Sequence, residues 1–425
     1  MSLIFLCIEL ALLALLRFMG MEEIPDALAA ALILVYSFAY IACVSRKPHC
    51  KKCAPALIAG YVFRIALLFW DIYGSNIYQL PNSGADSVGF YNNSIAFAVG
   101  RRHGMGSFPE VMGTLFKYCG ISRLFGQFII TLFSMVSLEI AAKAFSLMTL
   151  DEKRANTGMW IVCLLPNFAI LSVLFLRESI VAMFISLSLY EYIKWFKQKK
   201  ELSFIVAIAL TFGAMYFHSG AIAVPVGYLL TRLLYDKNSE KLKFSVTNLI
   251  IVGLLLLVGV FVLNRFGDSF LVKFQNASSL EDIANENSSG GSSYARYVGN
   301  SNNIPNMIIY TIPRIVFFQF SPMPWLIRGL SDIIAFCFSS CFYIVTIYQF
   351  FRYLRKGGKE NREFIIIIFI VCMCAAFVFG WGVSNAGTAC RHRDKMTIVW
   401  AILYAFTLKP QKEYEYGNSA IRSLR

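Results

Sequence analysis

The side chains in this sequence that could do chemistry are arginines, histidines and carboxylates set where apolar runs end. Arg177-Glu178-Ser179 interrupts the mostly apolar stretch from Leu165 to Lys200, His218-Ser219-Gly220 follows the run 202–217, Arg391-His392-Arg393 precedes the final run, and Gly84-Ala85-Asp86-Ser87 lies in a mixed segment. A guanidinium stays charged and offers forked donors, which suits phosphate and carboxylate, and a pyrophosphate held at an interface needs several of them. His218 is the candidate for acid-base work, because imidazole titrates near neutral pH and the neighbouring Ser219 and Gly220 leave room for a substrate. Asp86 and Glu178 are alternative bases. The plainer readings stay open: a satisfied interfacial histidine, and arginines that cap helix ends or pair with nearby carboxylates. Ser219 as a nucleophile lacks an identifiable base or oxyanion hole.

These residues must be positioned by membrane helices. The chain is 57% hydrophobic and only 15% charged, with a mean hydropathy of +0.61, far from an average soluble domain. The net charge of +14 does not call for nucleic acid, since the basic residues fall in short clusters between apolar runs, where they anchor topology beside anionic headgroups. No composition shift marks off a soluble domain, so residues 1–425 read as one polytopic domain.

By the positive-inside rule, the clusters at 46–52, 194–200, 237–243 and 352–362 lie in the cytoplasm, as does the basic tail at Lys409 and Lys412. Apolar runs 4–16, 27–43, 54–73, 124–148, 159–175, 202–217, 221–235, 248–263, 333–351, 363–381 and 396–408, with the run after Arg177, predict about twelve transmembrane helices with both termini inside. Met307–Trp325 carries Pro313, Pro322 and Pro324 and begins and ends on one side, which predicts a re-entrant or interfacial helix covered by protein. External loops are expected at 74–123 and 265–328, the first with an amphipathic segment at 108–118 and the second with a flexible Ser288–Ser293 run. Arg64 lies inside a span and is expected to face protein, and Glu139 with Lys143 reads as an i,i+4 ion pair.

On this topology the outer side collects Asp86, Arg101, Arg102, His103, Arg177, Glu178, His218, Arg265, Arg296, Arg314, Arg328, Arg391, His392 and Arg393. Arginines placed against the positive-inside trend need a reason, and anion binding supplies one. Cys119 and Cys390 are the cysteines placed outside, where a disulfide is conceivable but unsupported. The His49–Cys53 stretch offers three ligands without a second Cys-x-x-Cys, short of a zinc site. Dinucleotide, phosphate-loop and HExxH motifs are absent.

The order of short motifs resembles the Wzy/EpsG group of bacterial polysaccharide repeat-unit polymerases. The motifs are Gly84-Ala85-Asp86 with Phe90-Tyr91, Pro166 with Arg177-Glu178, Phe217-His218-Ser219, Pro313-Arg314 with Pro322-Met323-Pro324-Trp325, and Gly387-Thr388 with Arg391-His392-Arg393. The resemblance spans nearly the whole chain and rests on order and topology. It implies an all-α, GT-C-like integral membrane glycosyltransferase of the bacterial inner membrane that joins undecaprenyl-diphosphate-linked oligosaccharides, as in O-antigen synthesis, on the periplasmic face. It implies no metal, cofactor or nucleotide sugar, and a chain-length regulator as a further partner. Arg177, Arg391 and Arg393 would bind the diphosphate, His218 would deprotonate the acceptor hydroxyl, and His392, Arg314, Arg328, Arg296 and Tyr91 would contact substrate. Phe90 ahead of Tyr91 departs from the expected tyrosine. An O-antigen ligase using the same donor and a lipid-linked oligosaccharide flippase are the alternatives.

Overall fold

The computed structural model describes residues 2–101, 106–236, 239–243, 292–298 and 304–410. The expected span 248–263 and Arg102, His103, Arg265 and Ser288–Gly291 fall outside these residues. In chain order the helices are α1 (Ser2–Phe18), α2 (Asp26–Val44), α3 (Ala54–Phe69, prolonged by a π turn Trp70–Gly74), α4 (Ala85–Ala98), α5 (Ser107–Cys119), α6 (Arg123–Leu147), α7 (Glu152–Leu164), α8 (Pro166–Leu171), α9 (Glu178–Gln198), α10 (Glu201–Phe217) and α11 (Ala223–Leu234). After a small hairpin pairing Tyr235–Asp236 with Lys241–Leu242 come α12 (Ala295–Val298), α13 (Ile304–Phe320), α14 (Leu330–Arg355), α15 (Arg362–Trp381), α16 (Ala386–Asp394) and α17 (Thr397–Thr407).

The fold is therefore all-helical apart from that hairpin, among the described residues. Among the described residues, five helical stretches are long and apolar enough to cross a membrane: 26–44, 51–74, 123–147, 330–355 and 362–381. Shorter apolar helices cover 201–217, 219–234, 309–320 and 397–407.

The helices sort the loops into two groups. At one end Lys47 pairs with Glu139, Lys52 with Glu152 at 3.5 Å, and Arg154 with Glu360 at 2.6 Å; Lys199 joins the hairpin through Glu240 and Tyr235, and the Leu242 N–H donates to Glu363. These are the loops that the basic clusters assign to one side. At the far end of the 21-residue α9, about 30 Å away at the helical rise, lie Glu178, the His218 turn and α16, the last in contact with each of the first two. The two long connectors rich in polar residues reach this second end as well, since Tyr78 meets Ser331 and Ser293 bridges Asn385.

The expected external loop 74–123 is not loop alone. It folds as α4 and α5, whose contact is driven by the stripe Phe108, Met112, Phe116 and Cys119 on α5, buried at helical spacing. Tyr91 of α4 sets its ring edge-on to Phe116 and Phe175, at 5.8 and 5.4 Å between centroids.

A larger correction concerns 159–175, which is not one continuous span. Pro166 cannot donate to the helix behind it, so α7 stops at Leu164, α8 restarts at Pro166, and the chain from Ser172 to Leu176 runs irregular and fully buried. Carbonyls freed by such a break need partners inside the protein. Arg64 of α3 supplies one, donating to the Cys163 carbonyl at 2.7 Å, to the Gly60 carbonyl at 3.0 Å and to Ser134. The expectation that Arg64 faces protein holds. Gly60 makes the approach possible, because a Cβ there would stand 2.8 Å from the Cys163 Cβ.

Glu139, in contrast, does not pair with Lys143. It bonds Lys47, which sequence separation hid. Cys119 and Cys390 are free thiols, the first against the Leu10 carbonyl and the second against that of Ser321.

Between the two ends, buried polar contacts tie together the helices that present the site. Tyr192 of α9 stacks on Tyr228 of α11 at 4.1 Å and bonds Thr231 at 2.6 Å, while Ser188 donates to the Ala207 carbonyl of α10. Satisfied pairs of this kind fix one packing of α9, α10 and α11.

Candidate functional site

The nine-residue α16 is capped by Asn385, whose side-chain oxygen accepts from the N–H groups of Gly387 and Thr388. This cap sets the direction of the helix, and Arg391 and His392 leave it on the side facing α9 and α10. Arg393 and Asp394 leave on the other.

Arg391 is the hub. Its Nε and a terminal nitrogen donate to Glu178 Oε1 at 3.2 and 3.0 Å, and its other nitrogen bonds the Asp86 carboxylate. Glu178 is buried at the first position of α9, where the helix dipole favours its charge, whereas the Asp86 side chain is 64% exposed. Burial alone would lower the Arg391 pKa, but Glu178 and Asp86 outweigh it and raise it.

Arg177 adjoins this hub without joining it. It makes no hydrogen bond or ion pair among the described residues; its Nε is buried without a partner, and its guanidinium stands 5.8 Å from the Phe90 ring of α4. Burial pushes its pKa down, with Glu178 pulling it up and Arg391 lowering it further.

His218 ends α10 in extended backbone, held by its N–H on the Ala214 carbonyl and its own carbonyl under the Ala221 N–H. Its Nε2 meets His392 Nε2 at 3.3 Å, and Phe379 of α15 packs on both rings. The tight turn needs Gly220, since a Cβ there would be 2.5 Å from Phe379. Burial, then the charges of Lys395, His218, Arg391 and Arg177, hold the His392 pKa well below its ordinary value, so this ring is neutral near pH 7. Its Nδ1 has no hydrogen-bond partner among the described residues.

The remaining expected residues separate. Arg393 is buried and committed to the Gln319 and Ser321 carbonyls that close α13, under the Tyr343 ring at 5.1 Å. That makes it a tie between α16 and α13 in this structure, away from the Arg391 face. Arg314 is buried within α13 against Trp381 at 4.7 Å. Arg296 and Arg328 are exposed and share an open cleft of about 550 Å³ with Ser292, Ser293 and Trp325; Arg328 bonds Ser292, and Arg296 stacks on Tyr297. Tyr91 packs into the α4–α5 aromatic cluster, with Arg123 5.9 Å from its ring.

One member was missed. Lys395, between α16 and α17, is fully buried with Nζ 3.7 Å from Glu178 Oε1, an ion-pair separation longer than a hydrogen bond. Burial lowers its pKa to about 7, against the upward pull of Glu178. The available signal was a lysine directly before an apolar run on the side where lysines are scarce. Next to it, Asp394 accepts from Asn167 and Tyr343 at 3.1 and 3.2 Å, and burial raises its pKa to about 6.

Three basic side chains, Arg177, Arg391 and Lys395, thus face the two carboxylates of Glu178 and Asp86, one of which is exposed and displaceable. Such a set can accept an anion at Arg177 and Arg391 beside an imidazole pair able to carry a proton. Among the described residues, His49, Cys50 and Glu139 hold potential metal-ligand atoms within 4.8 Å of one another, at the opposite end of the bundle; Lys47 already occupies Glu139. Compared with family models, curated proteins and solved structures, the chain finds no match.

Proposed function

We propose that this chain is a membrane-embedded, multi-pass glycosyltransferase of the bacterial inner membrane that joins polyprenyl-diphosphate-linked oligosaccharides on the periplasmic face, an O-antigen-type polymerase of GT-C-like build. The observation that carries the reading is the meeting of Arg391, Arg177, Glu178 and Asp86 with the His218–His392 pair at one end of the bundle, from segments up to 305 residues apart. A diphosphate displaces the exposed Asp86 from Arg391, draws the guanidinium fork off Glu178 and meets the unpartnered Arg177. The departing diphosphate is then stabilised as its charge grows, which is the interaction that lowers the barrier.

His218 takes the proton of the acceptor hydroxyl and passes none of it to His392, whose depressed basicity keeps it neutral. An apolar groove of about 380 Å³, lined by residues including Trp160, Leu165, Pro166 and Phe338, lies beside Asn167, the partner of Asp394, and offers a path for a prenyl chain toward these charges.

Incubating the purified protein with lipid-linked repeat units alone tests the proposal. Longer lipid-linked chains support polymerisation. Transfer only to lipid A core would replace it with ligation, and absence of any glycan product, with translocation in vesicles, would replace it with a flippase.

A further inference from the structure

Glu178 Oε1 is shared unequally between two cations. Arg391 holds it in hydrogen bonds at 3.0 and 3.2 Å, while Lys395 stands off at 3.7 Å with no hydrogen bond to its Nζ among the described residues. Around Lys395 lie Glu178 and Arg177 at the start of α9, Arg391, His392 and Asp394 on α16, and the Phe379 ring of α15 at 5.9 Å. An ammonium buried without hydrogen bonds is unfavourable, and the neutral amine is accessible to it. A guanidinium has no such freedom, because it does not deprotonate in proteins.

If an anion draws Arg391 away, Glu178 is left as a buried carboxylate, a costly state. Lys395 is the other cation within ion-pair distance of it among the described residues. We propose that Lys395 is the reserve counter-ion of Glu178: when a diphosphate claims the Arg391 fork, Lys395 takes up a proton from solvent and compensates Glu178 in its place. Lys395 is then a positioning residue that couples anion binding to protonation, and this rests on the reading of the Arg391 site as a diphosphate site. The resting amine, with a pKa pushed down to about 7 by burial, is poised for this role at neutral pH.

Titration calorimetry on the full chain in nanodiscs tests the coupling. The probe is a short-chain prenyl-diphospho-N-acetylglucosamine, a diester whose charges do not titrate near neutrality, used at pH 6, 7 and 8 in two buffers of unequal ionisation enthalpy. Proton uptake should rise from near zero at pH 6 toward about one per site at pH 8, and affinity should fall by up to about tenfold per pH unit above 7. Lys395→Arg, permanently charged, and Lys395→Met, permanently neutral, should each bind without uptake, the methionine variant more weakly. Binding to the wild type without proton uptake overturns this inference alone, as does uptake that persists in both variants. Failure of the wild type to bind the diester overturns the diphosphate site, and the inference with it.

Discussion

His218 and His392 meet through their Nε2 atoms at 3.3 Å, although 174 residues separate them and they belong to different hairpins. A protonated His218 can only donate along that line, so His392, held neutral, must accept. The acceptor stabilises the protonated form of His218. His392→Phe should therefore shift the acid limb of the rate profile to lower pH, read from polymerisation rates between pH 5 and 9. His218→Ala should slow the chemical step by about 10²- to 10⁴-fold, with donor binding kept. A His218→Gln variant at near-normal rate with an unchanged pH profile would move the base to Asp86 or Glu178.

The two arginines should fail differently. Arg391 bonds two carboxylates at once, so Arg391→Lys should lower both activity and apparent Tm, because one ammonium cannot span Glu178 and Asp86 in the same geometry. Arg177 makes no such bonds, so Arg177→Lys should lose most activity at an unchanged apparent Tm. Equal thermal losses in both variants would make Arg177 a structural residue.

Asp86 offers a test of opposite sign. As an exposed carboxylate resting on Arg391 it competes with an incoming anion, so Asp86→Asn should tighten diester binding several-fold. A variant that binds as before but no longer elongates would instead make Asp86 the base.

Much of this was legible beforehand, and the reason is visible helix by helix. The expected run 202–217 became Glu201–Phe217 and the run 124–148 became Arg123–Leu147, because each apolar stretch is closed by charged or polar residues that end the hydropathy signal. Long-range pairing left no such signal. Glu139 has a lysine four residues on in its own helix, yet its partner lies 92 positions away. The Pro166 break hides inside unbroken apolarity, and Arg393 looked like Arg391 until α16 turned them to opposite sides.

Lys395 gives a stability prediction whose sign follows from its pKa. A lysine whose pKa is lower in the fold than in the unfolded chain penalises the fold once protonated, so its contribution is favourable at high pH and is lost as pH falls toward about 7. Lys395→Met should raise apparent Tm at pH 7, by the equivalent of about 1–4 kcal/mol, and the advantage should vanish near pH 10. A variant less stable than wild type at pH 7 would show that the ion pair with Glu178 outweighs desolvation.

The two ends of the bundle predict opposite labelling. Ala85→Cys, exposed at the start of α4, should react with an impermeant maleimide added outside intact cells, and Lys359→Cys should not. Labelling at 359 alone would invert the topology.

The contact between Arg64 and the Cys163 carbonyl also bears on how the chain enters a membrane. α3 alone carries an unshielded arginine costing about 2.5–3.5 kcal/mol at a helix centre, and the segment from α7 to Leu176 alone carries unpaired backbone. Each is a poor client for the insertion machinery, and their contact gives the guanidinium an acceptor and the Cys163 carbonyl a donor. The two segments should therefore partition into lipid as a joined pair, with α3 retained beside the translocon until the chain past Pro166 has emerged from the ribosome.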